Sequence, residues 1–429
     1  MGFEPIVKTI APGVRLCAVQ TDRFKTGCIS FSMALPLEGD IAANAVLPYI
    51  LHRSCKKYPD FSCLNGRLAE LYGASLTAGV AKLGEAQLLS IDLTSLDDRF
   101  SLTGESIAKS CTELLLDLIF EPDLVNGSFG ETAILREKRL LIEKLESELN
   151  DKRVYALRRC EEIMCAGEKF GLDKYGTRET IEKLTGDNIY NAWQNMLKTA
   201  VIQIDMVGSG DCEGVAEALS AKFSKIERSP AETNTVFVQT AKETRRLEEK
   251  LPVKQGKLVL GFRAGTRDKS DQAAAYKVMT DIFGGGTYSK LFKNVREEMS
   301  LCYYCSAKLD RHKGVIFVQS GIESEKAGMA SEEILRQFDA VKAGDFKPDD
   351  LNASLMAICD KLRGIEDSPD DIASWYTYRI LEPVLKTPAQ EAEEIRQVTK
   401  EQVIAAANRV TLDTIYMLSG TGEDDTDED

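Results

Sequence analysis

The sequence predicts an α+β protein made of two tandem homologous domains, each a mainly antiparallel sheet with helices packed on one face. Three observations lead to this class. The segment from Ile181, IEKLTGDNIYNAWQNMLKTAVIQIDMVGSGD, is matched from Ile395 by IRQVTKEQVIAAANRVTLDTIYMLSGTGED. Upstream, CISFSMALPLEG, an apolar helix from Ala42 and LNGRLAELYGASLTAGV correspond to KLVLGFRAGTRD, a helix from Gln272 and SKLFKNVREEMSLCYYCSA. This second pair stays in step at an offset of about 227 residues, Leu64 with Leu291, Leu68 with Val295 and Leu76 with Tyr303. Self-similarity at a fixed offset is the mark of a duplicated structural unit.

Each half reads strand, helix, helix, strand, strand, two or three helices, strand. The strands show two-residue alternation or short β-branched runs, and the helices show the 3.6-residue apolar period. Thr185 and Thr399 hold the same position before the last helix of each half, where a hydroxyl can accept a free backbone N–H. The stretch KIERSPAETNTVFVQTAKETRRLEEKLP from Lys225 mixes Pro, Thr and charge without sustained period. It reads as a connection, with one strand at VFVQ. The expected division is 1–225, an N-terminal domain; 226–252, a linker; 253–420, the C-terminal repeat; and 421–429, an acidic disordered tail.

Composition narrows the function. Of 429 residues, 43% are hydrophobic and 28% charged, the balance of a water-soluble globular protein. No apolar run is long enough for a membrane-spanning helix, and the N-terminus lacks a secretory pattern, so the expected location is cytoplasmic. With 54 basic against 68 acidic residues the net charge is −14, which disfavours nucleic acid and anionic membranes as partners. Eleven cysteines are too scattered for a disulfide framework; Cys17, Cys111, Cys160 and Cys359 read as small core residues. The single C-x-x-C, Cys302 to Cys305, lies in an expected strand. Residues three apart there point to opposite faces, so it reads as two unrelated core cysteines rather than a redox or zinc pair. Only His52 and His312 are present, which excludes chemistry needing three imidazoles. Gly284-Gly285-Gly286 lacks the Gly-Lys-Ser/Thr of a phosphate loop and reads as a helix end or hinge.

The second-half motif carries a resemblance. Gly285, Ser289-Lys290-Leu291-Phe292, Arg296-Glu297 and Leu301-Cys302-Tyr303, on a duplicated frame covering about residues 1 to 420, resemble the pitrilysin/insulinase family of zinc peptidases. Active members of that family carry H-x-x-E-H on the first helix. Two imidazoles one turn apart bind zinc, and the Glu serves as general base for the metal-bound water. In NAVLPYILHRS the matching positions hold Pro48, Leu51 and His52. On the later helix, EKRLLIEKLESE, Glu137 takes the family's upstream acidic position, and the last ligand falls at Glu143 or Lys144, one residue of register apart. His52, Glu143 and Cys55 are a conceivable substitute trio, but no carboxylate stands at Leu51 to activate water. The resemblance therefore implies no zinc and no hydrolysis by this chain alone.

In two-chain members of the family an Arg and a Tyr reach into the partner's zinc cleft, and here they match Arg296 and Tyr303. Both could stabilise an oxyanion beside a metal, or merely pair on a helix surface and pack in a sheet. The strand Ser75-Leu76-Thr77-Ala78-Gly79 matches the family's substrate-binding edge, where an extended peptide can add by backbone hydrogen bonds. The expectation is a non-catalytic subunit of a heterodimeric zinc peptidase. Zinc is expected only in a homologous partner subunit, with peptide as substrate. The alternatives are a stand-alone peptide-binding or assembly protein, a homodimer included, and a rearranged metalloenzyme built on His52.

Overall fold

The structure is a computed structural model that describes residues 4–265 and 270–421; the expected acidic tail lies outside the described residues from position 422. The chain packs into two compact units. The first holds the chain up to Leu145, then Asp173–Asn234 and Arg363–Gln390; the second holds Glu146–Leu172, Thr235–Leu362 and the chain from Glu391.

The first unit is built on β1 (Ile6–Ala11), β2 (Val14–Gln20), β3 (Thr26–Pro36), β4 (Ser75–Leu83), β5 (Ala86–Leu96) and, after the short ribbon β6 (Leu124–Val125) and β7 (Ser128–Phe129), β8 (Val201–Gly208). Their order is β1-β2-β8-β3-β5-β4, antiparallel throughout except for β2 beside β8. The second unit has β9 (Arg245–Leu251), β10 (Gly256–Arg263), β11 (Cys302–Asp310), β12 (Val315–Ile322) and β13 (Thr411–Gly420). Their order is β11-β12-β10-β13-β9, again with one parallel pair, β13 beside β9. Apart from β1, the two sheets have the same order and the same senses, which is the duplication in three dimensions.

The strand expected at 236–239 is absent, and β9 supplies it at Arg245–Leu251. That sequence, RRLEEKL, is an edge strand whose residues are all exposed or half-buried, so the apolar alternation that normally reveals a strand is missing. The two Thr caps close as capping boxes. Thr185 Oγ1 accepts from the Asn188 N–H at 3.2 Å while Asn188 Oδ1 accepts from the Thr185 N–H at 3.1 Å, and Thr399 and Gln402 repeat the arrangement.

One face of the first sheet is the apolar core. Leu16, Phe31, Met33, Ile91, Ile204 and Met206 point into a cluster filled by the helices Ile41–Leu51, Ile107–Phe120 and Gly186–Thr199. The buried Trp193 Nε1 donates to the Ile119 carbonyl at 2.8 Å. The alternate residues, Arg15, Ser30, Ser32, Asp92, Thr94, Gln203 and Asp205, make the other face polar at its centre. A helix from late in the chain, Pro369–Thr377, covers it. Thr377 Oγ1 donates to Asp205 at 2.8 Å, Gln203 Nε2 to the other Asp205 oxygen at 2.6 Å, and Thr94 Oγ1 to Asp370 at 2.8 Å. Arg15 ties the segment down further, donating to the carbonyls of Arg379 and Glu382 at 2.9 and 2.8 Å.

The second sheet follows the same plan with different chemistry. Phe262 packs with Phe283 and Phe338 at centroid separations of 6.4 and 5.1 Å on one face. The opposite face, with Val259, Val315, Phe317, Tyr416 and Leu418, is covered by the helix Lys152–Met164 through Ala156, Cys160 and Met164. At its margin the fully buried Arg263 pairs with Asp413 at 2.9 Å and Glu168 at 2.7 Å, and buried Lys313 shares Glu168 at 2.6 Å. Each sheet thus has its own helices on one face, and its second face is covered by a segment from the other half of the sequence.

Two outcomes follow. A chain ending at residue 234 lacks Arg363–Gln390 and leaves the Asp205 face bare; it should melt broadly or not at all, and a synthetic 363–390 peptide should restore a cooperative transition followed by circular dichroism. Burial raises Asp205 to about 7 against the hydrogen bonds of Thr377 and Gln203. The folded carboxyl is therefore the better proton binder, so its stabilisation is complete below its unfolded value near 4 and fades as pH rises to 7. At about 1.4 kcal/mol per unit, that amounts to roughly 4 kcal/mol. Denaturant titrations of Asp205→Asn between pH 4 and 7 should show a flatter stability profile than the parent; equal slopes would show that Asp205 does not carry the dependence.

Candidate functional site

The helix Ile41–Leu51 carries the degenerate metal-motif positions. Pro48 lies inside it and Leu51 is buried in the core. His52 sits at the helix end, its Nδ1 3.1 Å from the Pro48 carbonyl; since a carbonyl only accepts, Nδ1 bears the proton and Nε2 the lone pair. Burial and the adjacent Arg53 guanidinium lower His52, so the ring is neutral at pH 7. Glu137, 2% exposed on the helix Glu131–Asn150, is held by Arg53 at 2.8 Å and Arg136 at 2.7 Å.

Lys144 faces the first helix: its ammonium donates to the Tyr49 hydroxyl at 2.8 Å and lies 4.8 and 5.5 Å from the Tyr49 and Tyr175 ring centres. Glu143 turns outward and pairs with Arg139 at 3.4 Å. Helix phase accounts for this. Lys144 is seven residues, nearly two turns, after Glu137, whereas Glu143 is rotated about a third of a turn away. Cys55 is buried in a bridge with Tyr58 and Pro122, and the trio of His52, Glu143 and Cys55 is not assembled. Among the described residues no group of three or more His, Cys, Asp or Glu could hold a metal. One imidazole, an ammonium, a proline and a leucine do not fit a zinc ion, which needs at least three donors.

The second cluster lies between Leu291 and Cys305. Leu291–Glu298 is a π-helix, with Met299 N–H donating five residues back to Asn294. Ser300 then takes φ +50°, a left-handed conformation unusual for a residue with a Cβ. In β11, Cys302 pairs with Ile322 and Tyr304 with Gly321, so Tyr303 is the extra residue of a β-bulge. Three uncommon backbone features thus stand within about a dozen residues. Their product is exposure: Tyr303 is 64% exposed, and the Arg296 side chain is 42% exposed over the Phe292 ring, 3.6 Å from Glu297. Sequence pattern carried no sign of the π-turn or the bulge, since neither has a residue signature.

The bulge also corrects the reading of Cys302 and Cys305. It shifts the side-chain alternation by one, so the residues opposite them, Ile322 and Ser320, share a face and so do the two thiols. The glycine triplet stands at a helix end, one of its two expected readings. A Cβ on Gly284 would stand 2.6 Å from the backbone nitrogen of Ala307, so glycine there lets the helix Ser270–Gly284 approach β11.

Ser75 to Gly79 lie in β4, the outer strand of the first sheet, paired on one side only, to β5. Ser75 and Thr77 are exposed; Leu76, Ala78 and Gly79 are half-buried. Backbone donors and acceptors along the other side are open to an added strand. No helix among the described residues is long and apolar enough to cross a membrane.

A family model described as the Peptidase M16 inactive domain matches residues 183–358. The "Probable inactive metalloprotease YmfF" of Bacillus subtilis is 29% identical over 98% of this chain and 99% of its own length. Among solved structures, a conserved protein from Enterococcus faecalis covers 98% of this chain and 100% of its own at TM-score 0.89 and 24% identity. A peptidase M16 inactive domain from Pseudomonas fluorescens covers 97% and 98% at TM-score 0.75 and 16% identity. Along its whole length and in its fold the chain is thus similar to proteins of the peptidase M16 type, and residues 183–358 match the model of that family's inactive domain.

Proposed function

We propose that the chain is a non-catalytic subunit that binds peptide and completes the active site of a zinc-bearing homologous partner with Arg296 and Tyr303. The observation carrying this reading is the run of π-helix, left-handed Ser300 and bulged Tyr303. Each feature costs free energy relative to a regular alternative, and such departures gather where function maintains them. Here they lift a guanidinium and a phenol out to solvent, while the chain's own degenerate motif holds Pro48 and Leu51 beside the single His52, with Glu143 or Lys144 at the later position. In a partner's cleft the two donors would bind the developing oxyanion, and the open edge of β4 at Ser75 to Gly79 would take the extended substrate.

Mixing the chain with a zinc-bearing homologue should produce peptidase activity that neither shows alone. Arg296→Ala and Tyr303→Phe should each lower kcat about a hundredfold while size-exclusion chromatography shows an unchanged complex. Undiminished turnover in both variants would leave the second reading, a stand-alone peptide-binding or assembly protein, which the open β4 edge favours; peptide titration of the isolated chain would then show binding. In the metal positions, the triple variant Pro48→His, Leu51→Glu, Lys144→Glu should bind about one zinc per chain by elemental analysis, and the parent none. A zinc-free triple variant would mean that more than these three side chains separates the helix pair from a metal site.

A further inference from the structure

We infer that Cys302 and Cys305 form a peroxide-responsive dithiol that closes to an intramolecular disulfide on the edge of the second sheet. The bulge at Tyr303 is the ground for it: in a regular strand these residues would face opposite ways, and here they share a face across from Ile322 and Ser320. Their environments are unequal in the way such chemistry requires. Cys302 is half-exposed, whereas Cys305 is 7% exposed behind it. A hydrogen bond from the Cys305 thiol, with Ser320 and the Arg296 guanidinium, outweighs burial and lowers Cys302 to about 7. Cys305 is pushed up by the same contact and by burial, so it keeps its proton. One thiol is thus accessible and about half ionised at pH 7, and the other is a protonated neighbour ready to resolve it. A metal would need further donors, and none joins the pair among the described residues.

The Cys302 thiolate attacks one oxygen of a hydroperoxide, the O–O bond breaks, and Cys302 becomes a sulfenic acid while the departing oxygen leaves as water or alcohol after taking a proton. Cys305 sulfur then attacks the sulfenic sulfur, the S–S bond forms, and water carries off the hydroxyl and the thiol proton. Two thiols are oxidised by two electrons and one peroxide is reduced. A disulfide requires Cα atoms within about 7 Å, and an edge strand paired on one side can shift to give that. The disulfide would fix the bulge that presents Tyr303. That consequence rests on the proposed function; the dithiol does not.

The test uses the full reduced chain. At pH 7 iodoacetamide should modify Cys302 about tenfold faster or more than Cys63, although Cys63 is the more exposed, because Asp60 holds its thiol protonated. After hydrogen peroxide and an N-ethylmaleimide quench, peptide mapping should find the Cys302–Cys305 disulfide, reversed by dithiothreitol. Cys305→Ser should accumulate a dimedone-reactive Cys302, and Cys302→Ser should leave Cys305 reduced. Alkylation of Cys302 no faster than Cys63, sulfinate at Cys302 with Cys305 free, or a soft metal held by the pair in place of the bond would each overturn the inference.

Discussion

Every other feature of this molecule depends on one requirement, that a sheet buried in a globular protein be covered on both faces. The helices that follow each strand set in sequence cover only one. The second face of each sheet is closed by a segment encoded in the opposite half of the chain: Pro369–Thr377 and its continuation on the first sheet, Lys152–Met164 on the second. The buried groups that look out of place make sense from here. Asp205 and Arg15 are hydrogen-bonded to the covering segment of the first sheet, with Gln203 bridging the two, and Arg263 is neutralised in part by Glu168, just past the covering helix of the second.

The duplicated architecture was legible in the sequence because it rests on local signals. Alternation marks β3 and β5, apolar period marks the helices, and Thr185 and Thr399 announce the same turn twice. The exchange of covering segments was not legible, since no local pattern says which distant sheet a helix will pack on. β9 escaped for the opposite reason: an edge strand with mostly charged residues gives no alternation to read, and only its parallel pairing with β13 makes it a strand.

At the candidate site, residue identity was legible and geometry was not. Pro48 and Leu51 were visible as non-ligands by type alone. The choice between Glu143 and Lys144 needed helix phase, which spacing from the buried Glu137 and Leu141 would have supplied. The exposure of Arg296 and Tyr303 and the shared face of Cys302 and Cys305 depend on a π-turn and a bulge. These are backbone events in which one residue is added to a regular ladder, and every pattern that assumes the ladder then predicts the wrong face.

The exchange of covers also has an order in time. A ribosome releases the helix Lys152–Met164 well before β10 to β13 exist, so the second sheet meets its cover already made, and the face it presents is apolar. The first sheet is complete when β8 emerges, yet Pro369–Thr377 follows roughly ten to thirty seconds later at ~5–20 residues per second. Through that interval its uncovered face meets water, and at its centre that face is serine, aspartate, glutamine and arginine. Polar chemistry on the early sheet and apolar chemistry on the late one thus match the wait that each face endures during synthesis.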